Sequence, residues 1–330
     1  MPLPLALAPH LTVRAPTHDE LLAIFELIQA SDLDIFGQSD YSLQALRHDW
    51  SHPGFNPATD AWVVALPDGR FVGYAQIMHR NHFKMFGIGV VHPDYYNQGI
   101  GSALVKLTEE RSREHIPLAP PEARVYLHLF VGADHKPSIH LLSDHGYTLV
   151  RRTTRMQIEM DAPPPAPVWP EGISVRTMLP GQDERAIWEA MEEAFSDHWG
   201  HSPEPFEQWL ARHQEPDSLV PDLQFLAMAG ETVAGAALCI YLEDIGWVNV
   251  LGVRRSWRKH GLGLALLHHA FGEFYRRGTH TVGLTVDAQS LTGATRLYER
   301  AGMHPLTHYD SYAKELRPGV ELTVQSLDDA

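Results

Sequence analysis

The chain has one cysteine, a deficit of positive charge and no long apolar run, and each shortage removes a class of protein. Of 330 residues only Cys239 is a cysteine, so no intrachain disulfide can form and a disulfide-stapled secreted scaffold is excluded. A reducing, cytoplasmic setting is therefore expected. Lysine and arginine number 26 against 41 acidic residues, a formal net charge of −15. Such a balance argues against nonspecific binding to nucleic acid or to an anionic membrane, both of which need a basic surface. No apolar stretch reaches membrane-spanning length, and the opening MPLPLALAPH lacks a basic start and is broken by prolines, unlike a secretory signal. The 21 histidines are scattered. His79 and His82, His198 and His201, and His268 and His269 give no HExxH or Cys/His framework, so no metal is expected.

What remains is an ordinary globular composition, 44% hydrophobic and 20% charged, long enough for two domains with their own cores. The clearest boundary is DAPPPAPVWP, residues 161–170, whose prolines favour an extended, semi-rigid linker. On either side the same order of elements recurs. LTVRAP and ISVRTM read as short strands, and each leads into a helical pattern, ELLAIFELIQ and ERAIWEAMEEAF. Hairpins follow, with turns at Asp68-Gly69 and Gly230-Glu231. Then come VHPDYYNQGIG and VRRSWRKHGLG, each a strand end followed by a two-glycine loop and a helix. An alternating strand (RVYLHLFV, TVGLTVDA) and a short helix ending at Gly146 or Gly302 complete each half. The simplest reading is a tandem duplication of one α/β unit.

The loops are not P-loops, because neither HGLGLA nor QGIGSA supplies the lysine of that motif. They are not dinucleotide fingerprints either, because Leu104 and Leu266 stand where a third small residue is needed. A strand, closely spaced glycines and a helix N-terminus still make a site at which free amides and the helix dipole favour a pyrophosphate. The second copy adds Arg258 and Lys259 where the first has Tyr96 and Asn97.

Through Val253, Arg258, Gly261 and Gly263, and through Val91, Pro93, Gly99 and Gly101, these runs resemble the acetyl-coenzyme A signature of the GNAT N-acetyltransferase superfamily. The resemblance covers nearly the whole chain twice, and LTVDAQSLTGATRLYERAGM is similar to the corresponding part of the mycothiol synthase group. It implies an α/β (α+β) fold of two tandem GNAT domains at 8–160 and 171–318, each a mixed, mostly antiparallel twisted sheet with a splayed central strand flanked by helices. Acetyl-CoA is then the implied co-substrate and a small-molecule amine the acceptor, in a monomer or homodimer. Expected cofactor contacts are Leu251, Gly252, Val253, Arg258, Lys259, His260, Gly261, Leu262, Gly263 and Ser290 in the second half. Those of the first half are Val91, Gln98, Gly99, Ile100 and Gly101.

Direct transfer to an amine needs an acid for the departing thiolate. The resemblance supplies Tyr298 in RLYERAG for that role, whereas Leu142 holds the equivalent place in HLLSDHG, so the second half is the expected catalytic one. The helical spacing of Ala294, Leu297, Tyr298 and Ala301 fits a core face equally well. Cys239 lies in the apolar run AALCIYL, with nothing to lower its pKa, which disfavours an acyl-enzyme. The mycothiol synthase group implies a glutamate on the strand before the loop as base, but Trp247 is the nearest match here. Glu243 and Asp244, just upstream, are the alternative bases. Asp197, His198 and Trp199, in the acidic and aromatic run Phe195 to Trp209, are the candidate contacts for a cationic amine. An acyl-CoA-binding sensor or scaffold without turnover is the competing reading.

Overall fold

The computed structural model describes residues 7–39, 41–52, 54–213, 220–242, 244–289 and 293–324. The chain forms two compact units, one of Met1–Arg152 with His308–Leu322 and the other of Thr153–Thr307 with Thr323–Ala330. In the first half of the sequence the elements are β1 (Thr12–Arg14), α1 (Leu21–Phe36), α2 (Leu43–Ser51), α3 (Pro57–Asp60), β2 (Ala61–Ala65), β3 (Phe71–Arg80), β4 (Lys84–Val91), α4 (Ile100–Glu114), β5 (Val125–Gly132), α5 (Lys136–Asp144) and β6 (Thr148–Glu159). The second half repeats them as β7 (Ile173–Thr177), α6 (Glu184–Phe195), α7 (Phe206–His213), β8 (Gln224–Ala229), β9 (Thr232–Leu242), β10 (Ile245–Val253), α8 (Leu262–Arg276), β11 (Thr281–Asp287), α9 (Ala294–Arg300) and β12 (His304–Arg317). Residues 161–170 carry neither helix nor strand.

In both units the first four strands pair antiparallel and the fifth runs parallel to the fourth. The closing strand of each comes from the other half of the sequence. β12 pairs antiparallel with β5, from Tyr309 opposite Gly132 to Arg317 opposite Val125. β6 pairs antiparallel with β11, from Thr281 opposite Glu159 to Asp287 opposite Thr153.

The helices take their places by apolar spacing. Ile100, Ala103, Leu104 and Thr108 are the buried face of α4, as Leu262, Ala265, Leu266, Ala270 and Phe274 are of α8. Each buried leucine or phenylalanine contributes about 1.5–3 kcal/mol of apolar transfer, which holds these helices on their sheets. Behind β5 the alternating Val125, Leu127 and Leu129 enter one core with Leu142 and Tyr147.

The feature that creates a cleft is a short parallel ladder. β4 and β5 pair only from Lys84 opposite Tyr126 to Gly87 opposite Leu129, and β10 and β11 only at Gly246 opposite Val282 and Trp247 opposite Gly283. The last paired row of each ladder sets a glycine against a large side chain. A Cβ on Gly87 would stand 2.7 Å from Leu129 Cδ2, and one on Gly283 2.6 Å from Trp247 Cζ3. Past these rows the two strands of each pair no longer bond to each other and a gap opens between them toward the glycine loop.

Candidate active site

The two loops have one backbone shape. Asn97 and Gly99 have φ of 62° and 80°, and Lys259 and Gly261 have φ of 66° and 84°. Left-handed residues alternating with ordinary ones turn successive N–H groups to one side, a concavity suited to an anion. Gly99 and Gly261 occupy the N-cap positions of α4 and α8 without a side chain to cap them. The first helical bonds are Ala103 N–H to Gly99 O and Ala265 N–H to Gly261 O. The amides ahead of them, Leu262, Gly263 and Leu264 in the second unit, have no partner within the helix and are available to a pyrophosphate. The second glycine of each pair serves packing instead. A Cβ on Gly263 would lie 3.1 Å from Leu297 Cδ2, and one on Gly101 2.8 Å from Leu141 Cδ2.

A cleft of about 590 Å³ runs from this loop between β10 and β11 in the second unit, and one of about 530 Å³ occupies the same place in the first. Leu251, Gly252, Val253, Arg258, Lys259, Gly261, Leu262 and Gly263 line the second cleft, with Asp197, His198 and Tyr298. Val91, Gly99, Ile100 and Gly101 line the first. His260 and Gln98, exposed on their loops, line neither. Ser290 and Glu243 lie outside the described residues. Asp244 is exposed at the turn before β10 and Trp199 is half-buried; neither lines the cleft.

Within β10 the register shifts between Val248, opposite Cys239, and Val250, opposite Leu238. Asn249 is therefore an extra residue whose backbone has no place in the β9 ladder, and it lines the cleft. A bulge there frees main-chain polar groups at the open side of the splayed strands. The sequence reading missed it; the one signal was a polar residue inside the apolar run WVNVLGV.

Tyr298 is placed by the end of α9. Gly302, at φ 94°, closes the helix, and Met303 N–H donates to Tyr298 O, the six-to-one bond of a Schellman cap. The side chain is buried on the cluster with Leu266, Leu284 and Val286 while also lining the cleft. Both sequence readings of this residue, core face and cleft, thus describe its surroundings. Burial pushes its hydroxyl up to about 12, so it is a proton donor at neutral pH. The first unit forms the same cap, Tyr147 N–H to Leu142 O, around a leucine.

Arg258 braces the loop. Its Nη1 and Nη2 donate to Asp197 Oδ2 and Oδ1 at 2.5 and 3.2 Å, Nη2 also to Ala194 O at 2.8 Å, and Nε to Val253 O at 3.2 Å. The guanidinium ties the strand end, the loop and the end of α6 together, and the Asp197 carboxylate is engaged by it. Burial opposes the ionised form of Asp197, yet Arg258 brings its pKa below the usual carboxylate value. Tyr96 performs the lesser version in the first unit, donating to Asp34 Oδ2 on α1 at 3.1 Å. Trp247 carries the Arg155 guanidinium over its ring at 4.8 Å, so the strand offers no carboxylate there. Cys239 is fully buried and its thiol is pushed up by that burial, unfit for acyl transfer.

A splayed parallel strand pair, a left-handed two-glycine loop at a helix N-terminus and a mixed, mostly antiparallel sheet, present twice, are the arrangement of a tandem acyltransferase. The family comparison agrees: the model of the Acetyltransferase (GNAT) family matches residues 21–147 and 185–303, and the chain belongs to that family. It is an acetyl-CoA-dependent N-acetyltransferase. Mycothiol acetyltransferase of Salinispora arenicola is 33% identical over 76% of this chain and 80% of its own length. A GCN5-related N-acetyltransferase from Sphaerobacter thermophilus superposes with a TM-score of 0.85 at 40% identity, covering 96% of this chain and 99% of that one. A tandem GNAT protein from the clavulanic acid biosynthesis pathway shares the fold, with a TM-score of 0.68 at 19% identity over 94% of this chain and all of its own. No helix among the described residues is long and apolar enough to cross a membrane.

Proposed function

We propose that the second unit transfers the acetyl group of acetyl-CoA to the primary amine of a small molecule by direct attack, and that the first unit binds the same co-substrate without turnover. The observation carrying this reading is the meeting of the Asn249 bulge and the Tyr298 hydroxyl in the one cleft whose loop is braced by Arg258. The amides of Leu262, Gly263 and Leu264 hold the pyrophosphate, and the gap between β10 and β11 takes the pantetheine arm. The amine nitrogen forms a bond to the thioester carbonyl carbon, and main-chain donors freed at Asn249 stabilise the oxyanion. The C–S bond breaks, Tyr298 gives its proton to sulfur, and the proton lost by the amine leaves to solvent. With Asp197 held by Arg258, the acceptor is recognised by other groups of the cleft. The acceptor class agrees with relatives named for mycothiol acetylation, although Trp247 replaces the glutamate implied for that group. The relatives' activity also disfavours a sensor without turnover.

Thiol release from acetyl-CoA in the presence of a panel of small amines tests the proposal. Wild-type chain and a Leu142→Met variant of the first unit should release CoA at equal rates, with Tyr298→Phe nearly inactive. Equal rates for wild type and Tyr298→Phe would overturn the assignment.

A further inference from the structure

Three histidines separated in the sequence meet in the first unit, at the end of the β4–β5 pair away from the glycine loop. His79 lies near the end of β3, His82 in the turn before β4, and His115 caps the C-terminus of α4. One ring nitrogen from each lies within 4.8 Å of the others. The His79 and His82 rings stack with centroids 4.0 Å apart, and His115 lies 4.6 and 5.1 Å from them.

Aromatic packing alone does not account for this arrangement. His115 is 4% exposed, so its imidazole is held in the protein interior rather than in water. Its Nδ1 is 2.8 Å from Nδ1 of His82, a separation at which the two can only share a proton or share an ion. Two imidazole nitrogens on a tetrahedral zinc ion stand about 3.3 Å apart, so a movement of about half an ångström would admit the metal. His82 also holds a left-handed backbone, φ 59°, next to Asn81 at φ 50°, a conformation glycine would adopt with less strain. A small cavity of about 10 Å³, room for one ion or water, adjoins the cluster and is lined by His79, His115, His52 and Asp60. The Asp60 carboxylate is already held by Arg111 Nε at 2.7 Å and Asn56 N–H at 2.8 Å, which leaves it as a nearby negative charge.

We propose that His79, His82 and His115 form a binding site for one divalent ion of the zinc class, fastening the β3–β4 hairpin to the C-terminal end of α4. Three imidazoles suit Zn²⁺, Co²⁺, Ni²⁺ or Cu²⁺ and not Mg²⁺ or Ca²⁺, which prefer oxygen. The expectation of no metal rested on linear motifs, and these ligands come together only through the fold. The site is structural: it closes the end of the strand pair whose other end opens as the first cleft.

The full chain, stripped with chelator, is titrated with Zn²⁺ alone and, in parallel, with Co²⁺ alone, whose visible absorption reports nitrogen ligation. One equivalent should bind with micromolar or tighter affinity and raise the melting temperature by several degrees. His79→Gln should weaken that first equivalent at least tenfold. His82→Gly should do the same while folding at least as well, because glycine accepts the left-handed turn, and should leave CoA release unchanged. No tight equivalent in wild type, or equal affinity in wild type and His82→Gly, would overturn the site. The remaining histidines, as scattered weaker binders, would give later equivalents that neither substitution moves.

Discussion

In the first unit β4 pairs with β3 in unbroken register from Gly73 opposite Val91 to Arg80 opposite Lys84, whereas β10 of the second carries an extra residue at Asn249. The two clefts otherwise match in loop dihedrals, in the short parallel ladder and nearly in volume, about 530 and 590 Å³. Holding an acyl-CoA uses what is common to them: backbone amides, a gap between strands and a helix N-terminus. The proposed turnover adds two local features, a bulge beside the thioester and a tyrosine near the sulfur, and among the described residues only the second unit has both. On the proposed division of labour, a duplicated unit keeps its binding architecture while its twin turns the substrate over.

The largest break in this comparison is Tyr298→Phe. Removing a positioned acid should lower kcat by about 10²–10⁴-fold with little change in KM for acetyl-CoA. The pH profile sharpens the test. Because burial raises the tyrosine pKa to about 12, the donor form persists from neutral pH through pH 10, and kcat should show no alkaline loss assignable to Tyr298 below about pH 11. The stability linked to the buried neutral phenol is fully present below its unfolded value near 10 and declines as pH rises through 12. A descending limb near pH 9 that vanishes in Tyr298→Phe would contradict this assignment.

Arg258→Ala comes next. It removes four donated hydrogen bonds and leaves Arg255, 3.8 Å away, as the cation beside the Asp197 carboxylate. Breaking a largely buried, hydrogen-bonded pair costs about 2–4 kcal/mol, so denaturant unfolding should show a stability loss of that size. KM for acetyl-CoA should rise as the loop loosens. Gly261→Ala is smaller and more local. Nothing lies within 4 Å of the added Cβ, so the penalty is the left-handed backbone itself, about 1–2 kcal/mol, felt as a several-fold rise in KM. Gly99→Ala, at φ 80°, should cost the same stability and leave steady-state kcat and KM unmoved, which separates the two clefts directly.

Much of this was legible in the sequence because it is local. Turn glycines, alternating strands and the glycines ending the short helices are read over a few residues, and Gly146 and Gly302 do adopt the left-handed conformation their positions imply. The bulge was hidden because one inserted residue shifts register without disturbing hydrophobicity. The role of Arg258 was hidden because its partner, Asp197, lies far away in sequence; apart, one reads as a phosphate contact and the other as a substrate contact. The strand exchange was hidden for the opposite reason. β6 and β12 each follow the short helix of their own half, and nothing local in the sequence names the strand they pair with.

The smallest effect is expected where the first unit imitates the brace of the second. Tyr96 donates one hydrogen bond, at 3.1 Å, to the Asp34 carboxylate, and its ring sits 5.6 Å from that of His135. Burial first, and then the carboxylate, pushes the phenol up to about 12, so the hydroxyl stays a donor throughout the working range. Tyr96→Phe keeps the ring and removes the bond. Because the pair is exposed, the Asp34 carboxylate regains water, and the loss should be about 0.5–1 kcal/mol, well below that of Arg258→Ala. Calorimetry should show that small shift, with kcat unchanged. If Tyr96→Phe instead lowered kcat, the first cleft would have a part in turnover, and the division of labour drawn from Asn249 and Tyr298 would fail.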